Sequence, residues 1–379
     1  MKPKNVLLLI HPVYPPRLQG IARFAREHGW YLTIVDRLSR LPRGWTVDGA
    51  LATLCGDDET VAFVKDLRRR RIPVVDLTLD RPDVRLPRVS GDHAAFGRAA
   101  ALHFQEKGFR HAAWYSTVWT NVHALRFGGF AAAWPDEPPL RWVLSENVPA
   151  KDFDDWNVFT RRLGERLRAA PRPLAVLTYD DADAARILAA ARAADLNVPD
   201  DVAVMGIGDD TVVCENQPVP LSSVGHDLET NGYAGAALLD RLMNGGTAPA
   251  KPVLIPPNGI VARRSTDTVA AADPEIRRAL LYIHAHLAES FGAPEIAAAL
   301  GMSRVRLDRL FAAELGHSVG KEILARRLAE AKRLLADGDL TIAEIAAHTG
   351  FCTPAYFTNT FRRETGLPPR AWRKCFSEE

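Results

Sequence analysis

The sequence predicts an α/β domain of two lobes, followed by an all-α domain that contains two helix-turn-helix units. Three observations support this fold class. Up to about residue 262, short apolar runs alternate with helix-like stretches, and a polar, turn-rich segment at residues 135–139 lies near the middle of that alternation. Beyond residue 267 the strand pattern stops, and the rest of the chain has helical periodicity.

The predicted strands are short and apolar, which is typical of parallel sheets covered by helices on both faces. They lie at residues 6–10, 31–35, 49–54, 73–77, 111–115, 174–178 and 202–206. The helix-like stretches between them lie at residues 18–27, 59–70, 94–107, 182–194 and 228–243. The alternation is too long for one small sheet, so we expect two similar open lobes. The cleft between the carboxyl ends of their strands is where such folds bind ligands.

The 379 residues are 47% hydrophobic and 25% charged, which is typical of a globular protein with more than one core. We predict an α/β domain at 1–267, a linker at 268–273 and a helical domain at 274–379. Lys and Arg number 48 against 46 Asp and Glu, so the net charge does not identify a partner. From residue 276 onward 15 basic residues face 12 acidic ones, an excess too weak to indicate nucleic acid by itself.

Cys55, Cys214, Cys352 and Cys375 stand far apart without a CxxC pair, so we expect neither a disulfide framework nor a metal site. The first apolar run, at residues 6–10, is too short for a signal peptide or a membrane span. The sequence contains no P-loop, GxSxG, HExxH or complete GxGxxG motif. We therefore expect a cytoplasmic protein that is not an enzyme, needs no cofactor and has no membrane partner.

The helical domain contains two segments with one layout: a short apolar helix, a glycine turn and a second helix. The first covers residues 294–314 with its turn at Gly301, and the second covers residues 342–364 with its turn at Gly350. A longer helix at about residues 319–335 joins them. Such a connector can place the two units about 34 Å apart, the spacing of successive major grooves.

Local signals mark the starts of these helices. Asp273 and Thr353 read as N-caps that precede a proline at the first helical position, and Ala293-Pro294 places another proline there. Thr341 and Glu344 match the capping box, in which each side chain satisfies the other residue's amide. Helical spacing predicts core positions at Ile296, Leu300, Leu307, Leu310 and Phe311, and at Ile342, Ile345, Ala346, Phe357 and Phe361.

The opposite faces of the two second helices are the surfaces that DNA would meet. Arginine can pair with guanine, asparagine with adenine, and threonine or alanine with the thymine methyl group. The candidate DNA-binding residues are Arg304, Val305, Arg306, Asp308 and Arg309 in the first unit, and Ala355, Thr358, Asn359 and Arg362 in the second. Candidates for phosphate contacts are Lys321, Arg326, Arg363, Arg370 and Arg373. One charged helix face is weak support for DNA binding, whereas two units in tandem are much stronger support.

The helical domain resembles the DNA-binding domain of the AraC/XylS family. The resemblance rests on residues 295–303, 310–311, 344–351, 356–357, 361–362 and 366–373, which read EIAAALGMS, LF, EIAAHTGF, YF, FR and GLPPRAWR. It implies base contacts at Val305, Asp308 and Arg309, and at Ala355, Thr358 and Asn359. Asp308 departs from what a DNA-facing position favours, because an acidic side chain repels phosphate unless it accepts from a cytosine amino group.

The α/β domain resembles the lobes of LacI/GalR-type regulators and of periplasmic sugar-binding proteins. In the second lobe the resemblance rests on residues 177–181, 196–202, 205–210 and 221–224, and in the first, less strongly, on residues 92–108 with Arg126 and Phe130. Such lobes joined to an AraC-type domain are the layout of xylose-operon regulators, which the chain resembles end to end. The resemblance implies a periplasmic-binding-protein-like fold, a small sugar effector such as xylose or a related pentose, and a homodimer formed through the lobes.

A sugar presents hydroxyls, which pair with carboxylates, arginine, asparagine or histidine, and an apolar face, which packs on an aromatic ring. The candidate ligand-binding residues are Arg126, Asp180, Asp181, Asp209 and His226, with Trp119 as the stacking ring and Tyr14 and His11 as further candidates. Structural alternatives exist: Asp181 could cap the helix that begins at residue 182, and Asp92 is expected to be a cap. Tryptophan is also more often a core residue than a sugar platform.

The ligand position after the strand at residues 202–206 is ambiguous. The sugar-regulator pattern has Gly-x-Asp where this chain has Gly206, Ile207, Gly208 and Asp209. Counting back from Leu221 favours a one-residue insertion, which leaves Asp209 in the ligand position. If Gly208 occupies that position instead, a hydroxyl contact is lost, and the ligand is another sugar or none.

The leading hypothesis is a ligand-gated transcription activator. A sugar closes the cleft, and a dimer presents its DNA-binding domains to a double-stranded operator, with RNA polymerase as a further partner. The effector must bind the open and closed states with different affinities for this to work. Two alternatives stay open: a DNA-binding regulator that is constitutive or has another ligand and whose lobes mainly dimerise, and, more distantly, an enzyme on a doubly wound fold.

Overall fold

The computed structural model describes residues 3–35, 46–55, 58–134, 137–147, 155–268, 273–337 and 340–377. The chain divides into two compact units, one formed by residues 1–104 and 111–267 and the other by residues 105–110 and 268–379. Of the expected linker, residues 269–272 lie outside the described residues.

The first lobe of the larger unit is built on a parallel sheet. Its strands are β1 (Lys4–Leu9), β2 (Trp30–Ile34), β3 (Gly49–Ala52) and β4 (Val74–Asp76), in the order β2-β1-β3-β4. A parallel pair, β5 (Val89–Gly91) and β11 (Val253–Ile255), accompanies this sheet. Its helices are α1 (Pro15–His28), α2 (Asp58–Arg69) and α9 (Leu228–Met243). The β1 side chains are buried in two apolar clusters, one on each face, as the sequence predicts for a covered parallel strand.

The second lobe is built on a six-stranded sheet in the order β12-β10-β9-β8-β6-β7. The strands are β6 (His111–Ser116), β7 (Leu140–Val143), β8 (Leu174–Thr178), β9 (Val202–Gly208), β10 (Ser222–Gly225) and β12 (Ile260–Val261). The helices are α3 (His93–Glu106), α4 (Asn121–Ala131), α5 (Leu144–Asn147), α6 (Trp156–Ala169), α7 (Asp181–Ala193) and α8 (Thr211–Glu215). All pairings are parallel except that of β10 with β12, two strands that the sequence did not predict.

Two glycines bring α3 and α4 into close contact. A Cβ on Gly97 would lie 2.1 Å from the carbonyl oxygen of Arg126, and a Cβ on Gly129 would lie 2.0 Å from that of Ala94. Any other residue at either position would force the two helices apart. The crossing therefore fixes where α4 holds the side chain of Arg126.

The smaller unit is helical over all its elements from α10 onward. Its helices are α10 (Pro274–Ala285), α11 (Ala293–Leu300), α12 (Arg304–Leu315), α13 (Val319–Asp337), α14 (Ile342–His348), α15 (Pro354–Thr365) and α16 (Pro369–Ser377). Two separate apolar clusters hold it together, one centred on Phe311 and the other on Phe357 and Phe361. Each cluster is the core of one helix-turn-helix unit, and α13 contributes side chains to both cores.

The expected helix starts are confirmed, with one shift. The Thr353 hydroxyl accepts from the amide of Tyr356 at 3.1 Å, and the Asp273 carboxylate caps α10. Thr341 and Glu344 form the capping box, with the Thr341 amide donating to Glu344 Oε2 at 2.7 Å. α11 begins one residue earlier than expected: Gly292 is its N-cap, and the Glu295 carboxylate accepts from the Gly292 amide at 2.9 Å.

No helix in the described part of the chain is both long and apolar enough to cross a membrane. Within the same residues, no group of three His, Cys, Asp or Glu side chains is arranged to hold a metal ion. The three cysteines whose side chains are described, Cys55, Cys214 and Cys352, are free thiols. Nothing is described of the side chain of Cys375.

Candidate ligand cleft and nucleic-acid interface

Polar side chains gather where the strands of both lobes end. Tyr14 follows β1, Asp80 follows β4, and Tyr179 follows β8. The start of α4 reaches the first lobe, because the Thr120 hydroxyl donates to Asp80 Oδ1 at 2.5 Å and the Val122 amide donates to the same oxygen at 3.1 Å. The two lobes therefore meet around a cleft at the carboxyl ends of their strands, the place that the sequence predicts for a ligand.

Arg126 is anchored in the cleft. Its side chain is only 5% exposed, yet no described carboxylate pairs with it. Nε donates to His93 Nδ1 at 3.2 Å, Nη1 donates to the carbonyl oxygen of Tyr179, and the guanidinium lies 4.6 Å from the centre of the Tyr179 ring. These contacts hold Arg126 in one position and leave Nη2 without an acceptor among the described residues.

Three imidazoles line the same region. The ring of His226 lies 6.1 Å from that of His93, and its Nε2 is inaccessible and has no hydrogen-bond partner among the described residues. The His123 ring stacks on Tyr179 at 3.7 Å. Burial, and then the charge of Arg126, lowers the pKa of all three imidazoles, that of His123 to about 3. They are therefore neutral at physiological pH, and each can both donate and accept a hydrogen bond.

Tyr14 and Asp180 lie at the same cleft. Burial, and then the charge of Asp180, raises the pKa of Tyr14, while Arg17 and Arg126 oppose that shift. Asp180 is the N-cap of α7, because its Oδ1 accepts from the amide of Asp183 at 2.8 Å. The cap of this helix is thus Asp180, and the alternative that Asp181 caps it is wrong. His11 has an exposed side chain at the end of β1.

The carboxylate of Asp181 is held inside the second lobe. Oδ1 accepts from the Ser223 hydroxyl at 2.6 Å, and Oδ2 accepts from the Asp210 amide at 2.8 Å. A Cβ on Gly206 would lie 2.1 Å from Oδ1, so this arrangement needs glycine at position 206. Asp181 thereby ties β9, β10 and the start of α7 together, and both of its oxygens already have donors.

Asp209 and Trp119 also have partners of their own. Asp209 has a positive φ of 56°, and its Oδ1 accepts from Arg263 Nη1 at 2.8 Å. The guanidinium of Arg141 lies 4.6 Å from the centre of the Trp119 ring and covers one of its faces. Of the eight sequence-predicted ligand residues, the structure brings four together: Arg126, His226, Tyr14 and Asp180. It gives Asp181, Asp209 and Trp119 other contacts and leaves His11 exposed.

Arg17 is the main cleft residue that was not predicted from the sequence. Its side chain is 6% exposed, Nε donates to Asn231 Oδ1 at 2.9 Å, and its guanidinium lies 5.6 Å from the centre of the Tyr14 ring. A signal was available: Arg17 shares the apolar face of α1 with Ile21 and Phe24, at helical spacing. An arginine on a buried helix face needs a polar partner or a ligand. His93 and Tyr179 were missed as well.

Two cavities, of about 410 and 340 Å³, lie beside α6 in the second lobe. The first is lined by Tyr115, Phe159 and Arg166, and the second by Trp156 and Arg192, among others. Neither contains a residue that the sequence predicts to bind a ligand.

In the first helix-turn-helix unit, α12 exposes Val305 and Arg309. Val305 is 70% exposed, and no described residue pairs with the guanidinium of Arg309. Asp308 lies 3.5 Å from Arg304 on the same helix, in an exposed ion pair that offsets part of its charge. Arg306 Nη2 donates to Glu275 Oε2 of α10 at 2.6 Å.

In the second unit, α15 exposes Ala355, Asn359 and Arg362. The Thr358 hydroxyl donates to the carbonyl oxygen of Pro354 at 2.8 Å. Tyr356 is exposed on the same helix, but it was not predicted to face DNA. Both second helices thus present polar and small side chains to solvent, while their opposite sides form the two cores.

Of the phosphate candidates, Arg326 pairs with Glu322 at 2.7 Å, and Arg373 donates to the carbonyl oxygen of Leu340 at 2.5 Å. Arg363 pairs with Glu364 at 2.8 Å. Lys321 and Arg370 are exposed.

Two models of known protein families match the chain, one in each unit. Residues 101–266 match the model of a periplasmic binding protein-like domain, and residues 296–375 match that of a helix-turn-helix domain. These matches agree with the fold classes observed for the two units.

Some individual proteins resemble the chain over most of its length, and others over a shorter part. The xylose operon regulatory protein of Escherichia coli K12 is 28% identical, over 95% of this chain and 94% of its own. The arabinose operon regulatory protein of the same organism is 35% identical over 28% of this chain and 37% of its own. A solved structure described as the xylose-binding transcription activator xylR is similar in fold, with a TM-score of 0.61, 24% identity and 99% of each chain covered.

Proposed function

We propose that this chain, which is similar to xylose operon regulatory proteins, is a DNA-binding transcription regulator that activates sugar catabolic genes in response to a small sugar effector. The relatives' names point to xylose, so the effector we propose is xylose or a related pentose compound. The similar proteins are operon regulators rather than enzymes.

The observation that carries this proposal is the tandem arrangement of exposed recognition faces. Arg309 on α12 and Asn359 on α15 point to solvent from two helix-turn-helix units whose cores are separate and whose common connector is α13. Arginine and asparagine are suited to reading guanine and adenine in the major groove. We propose that Arg309, Val305, Asn359, Ala355, Thr358 and Arg362 meet base edges, and that residues 274–379 form the DNA-binding domain.

We propose that the effector binds in the cleft of the domain formed by residues 1–267, against Arg126, Arg17, His226 and Tyr14. The hydrogen bonds from Thr120 and Val122 to Asp80 span the two lobes, so an effector that favours the closed cleft would also favour these bonds. We further propose that the protein acts as a homodimer and contacts RNA polymerase at its promoters.

The test begins with selection of bound fragments from a genomic DNA library by the full chain. Fluorescence anisotropy then measures the affinity for the selected DNA with and without sugars. We expect two recognition half-sites for each protomer and a change in affinity of at least fivefold when the effector is present, which corresponds to about 1 kcal/mol of coupling. Binding to all fragments with equal affinity would contradict the proposed regulator.

A second candidate, a DNA-binding regulator without a sugar effector, has one observation in its favour. The end of β9 contributes no free carboxylate, because Gly208 has no side chain and Asp209 is paired with Arg263. In that case the same experiment would give specific DNA binding whose affinity no sugar changes.

A further inference from the structure

The cleft holds two buried arginines without a counterion among the described residues. Arg17 enters it from α1 of the first lobe and Arg126 from α4 of the second. No described carboxylate lies within ion-pair distance of either guanidinium, and their bonded partners are Asn231, His93 and the Tyr179 carbonyl oxygen. Buried charges are normally paired, because leaving water without a partner costs several kcal/mol.

Both guanidiniums still have N–H groups to offer. Arg17 uses only Nε, so both of its terminal nitrogens have no acceptor among the described residues. Arg126 uses Nε and Nη1 and keeps Nη2. Both arginines act electrostatically on the same groups, Tyr14, His93 and His226, so their charges converge on one region.

The carboxylates nearest to this region are already engaged. Asp76 pairs with Arg88 at 3.0 Å, and Asp80 accepts from Thr120 at 2.5 Å. Asp180 caps α7. Asp76 acts electrostatically on Arg17, but its ion pair is with Arg88. None of these three carboxylates lies within ion-pair distance of Arg17 or Arg126, and each already accepts a hydrogen bond from another group.

The remaining polar groups of the cleft are neutral. The imidazoles of His93 and His226 carry no charge at physiological pH, because burial and the two arginines lower their pKa values. Since His93 Nδ1 accepts from Arg126, its Nε2 bears the proton and donates to Ser90 Oγ at 3.2 Å. The end of β9 adds no free carboxylate either, because Asp209 is paired with Arg263.

We infer that the effector is a sugar derivative that bears a negative group, a carboxylate or a phosphate, held between Arg17 and Arg126. The guanidinium fork binds either group through paired N–H donors. The hydroxyls of the same molecule meet Tyr14, His226 and the remaining donors of the cleft. This inference rests on the proposed function and makes its effector an acidic sugar derivative instead of a neutral pentose.

The decisive measurement is titration calorimetry of the full chain with four probes: D-xylose, D-xylonate, D-glucuronate and D-xylose 5-phosphate. We expect at least one acidic probe to bind at least tenfold more tightly than xylose. Comparison of the sugar acids with the sugar phosphate identifies which anionic group the cleft takes. The Arg17→Gln variant should lose at least tenfold in affinity for the acidic probe.

Two further variants separate the charge effect from misfolding. Arg17→Lys keeps the charge but loses the fork, so it should retain a preference for the acidic probe at reduced affinity. Arg26→Gln removes an exposed arginine from the same helix and should bind as the unmodified chain does. Thermal unfolding of each variant without ligand checks that it is folded.

The outcomes for this inference and for the proposed function are distinguishable. Xylose that binds as tightly as the acids overturns the acidic effector and leaves a sugar-responsive regulator in place. Failure of all four probes to bind overturns the acidic effector and also removes support for a sugar effector, while DNA binding is judged separately by anisotropy.

Discussion

Arg126 Nε donates a hydrogen bond to His93 Nδ1 at 3.2 Å and thereby links α4 to the start of α3. The two helices can approach because Gly97 and Gly129 stand where they cross. The bond orients a guanidinium that is almost fully buried, so this side chain is ordered in the absence of a ligand. Such preorganisation reduces the ordering that a ligand must cause when it binds.

The substitution Arg126→Gln is expected to abolish most effector binding while the chain stays folded. A charged hydrogen bond contributes about 1.5–3 kcal/mol, so the affinity should fall by roughly 10- to 150-fold. Titration calorimetry with the tightest-binding probe measures this loss. Arg23→Gln is the control, because Arg23 forms an exposed pair with Glu229 at 2.7 Å. Equal losses in the two variants would contradict the role of Arg126.

The buried imidazoles predict that the larger unit becomes less stable in acid. His93, His123 and His226 have lowered pKa values in the folded state, so below about pH 6.5 the unfolded chain binds protons that the folded chain does not. The free energy of unfolding should therefore fall as the pH drops below about 6.5, by at most about 1.4 kcal/mol per pH unit for each histidine.

Urea unfolding between pH 5 and 7.5 measures this dependence, and His226→Gln should reduce the slope by about one third if the three sites contribute equally. His11→Gln removes a histidine whose side chain is exposed and should leave the slope unchanged. An unchanged slope in His226→Gln would show that this imidazole is not held neutral by the fold.

The two glycine turns of the helix-turn-helix units should differ in their tolerance of alanine. Both glycines have positive φ, 68° at Gly301 and 69° at Gly350, which costs about 1 kcal/mol for alanine. A Cβ on Gly350 would also lie 2.3 Å from the carbonyl oxygen of Leu287, whereas nothing lies within 4 Å of one on Gly301. Gly350→Ala should therefore destabilise the chain clearly more than Gly301→Ala does. Thermal unfolding and DNA affinity measure the difference, and equal effects would argue against the close contact with Leu287.

Base reading by the second helices predicts specific losses. Arg309→Ala and Asn359→Ala should each weaken binding to the selected DNA by about 1–3 kcal/mol and relax the preference at one base pair. Arg278→Ala is the control, because it removes an exposed arginine from α10, outside both helix-turn-helix units. Anisotropy over a range of salt concentrations separates base contacts from phosphate contacts, since only the latter change the salt slope. A loss in Arg278→Ala as large as that in Arg309→Ala would point to a general charge effect.

Elements with a clear apolar run or helical periodicity were predictable, because those patterns lie within one segment of the chain. The strand at residues 174–178 and the helix at residues 228–243 agree with β8 and α9 residue for residue, since apolar run length and helical periodicity are read within one segment. β10, by contrast, reads Ser-Ser-Val-Gly and has almost no apolar signal. It is a strand because β9 supplies its hydrogen-bond partners and Asp181 takes up the hydroxyl of Ser223. Short strands of this kind depend on neighbours that are distant in sequence.

By itself, the sequence determined the two-part organisation, the tandem helix-turn-helix units with their caps and cores, and Arg126 as a cleft residue. Those features follow from spacing, capping and family motifs, which lie within short stretches of chain. Only the tertiary structure decided that Asp181 and Asp209 are engaged within the second lobe and that Arg17 joins the cleft. The physical reason is that a polar side chain bonds to whichever partner the fold brings within hydrogen-bond distance, and that partner can be distant in sequence. Arg17 and Asn231, for example, are 214 residues apart in the chain.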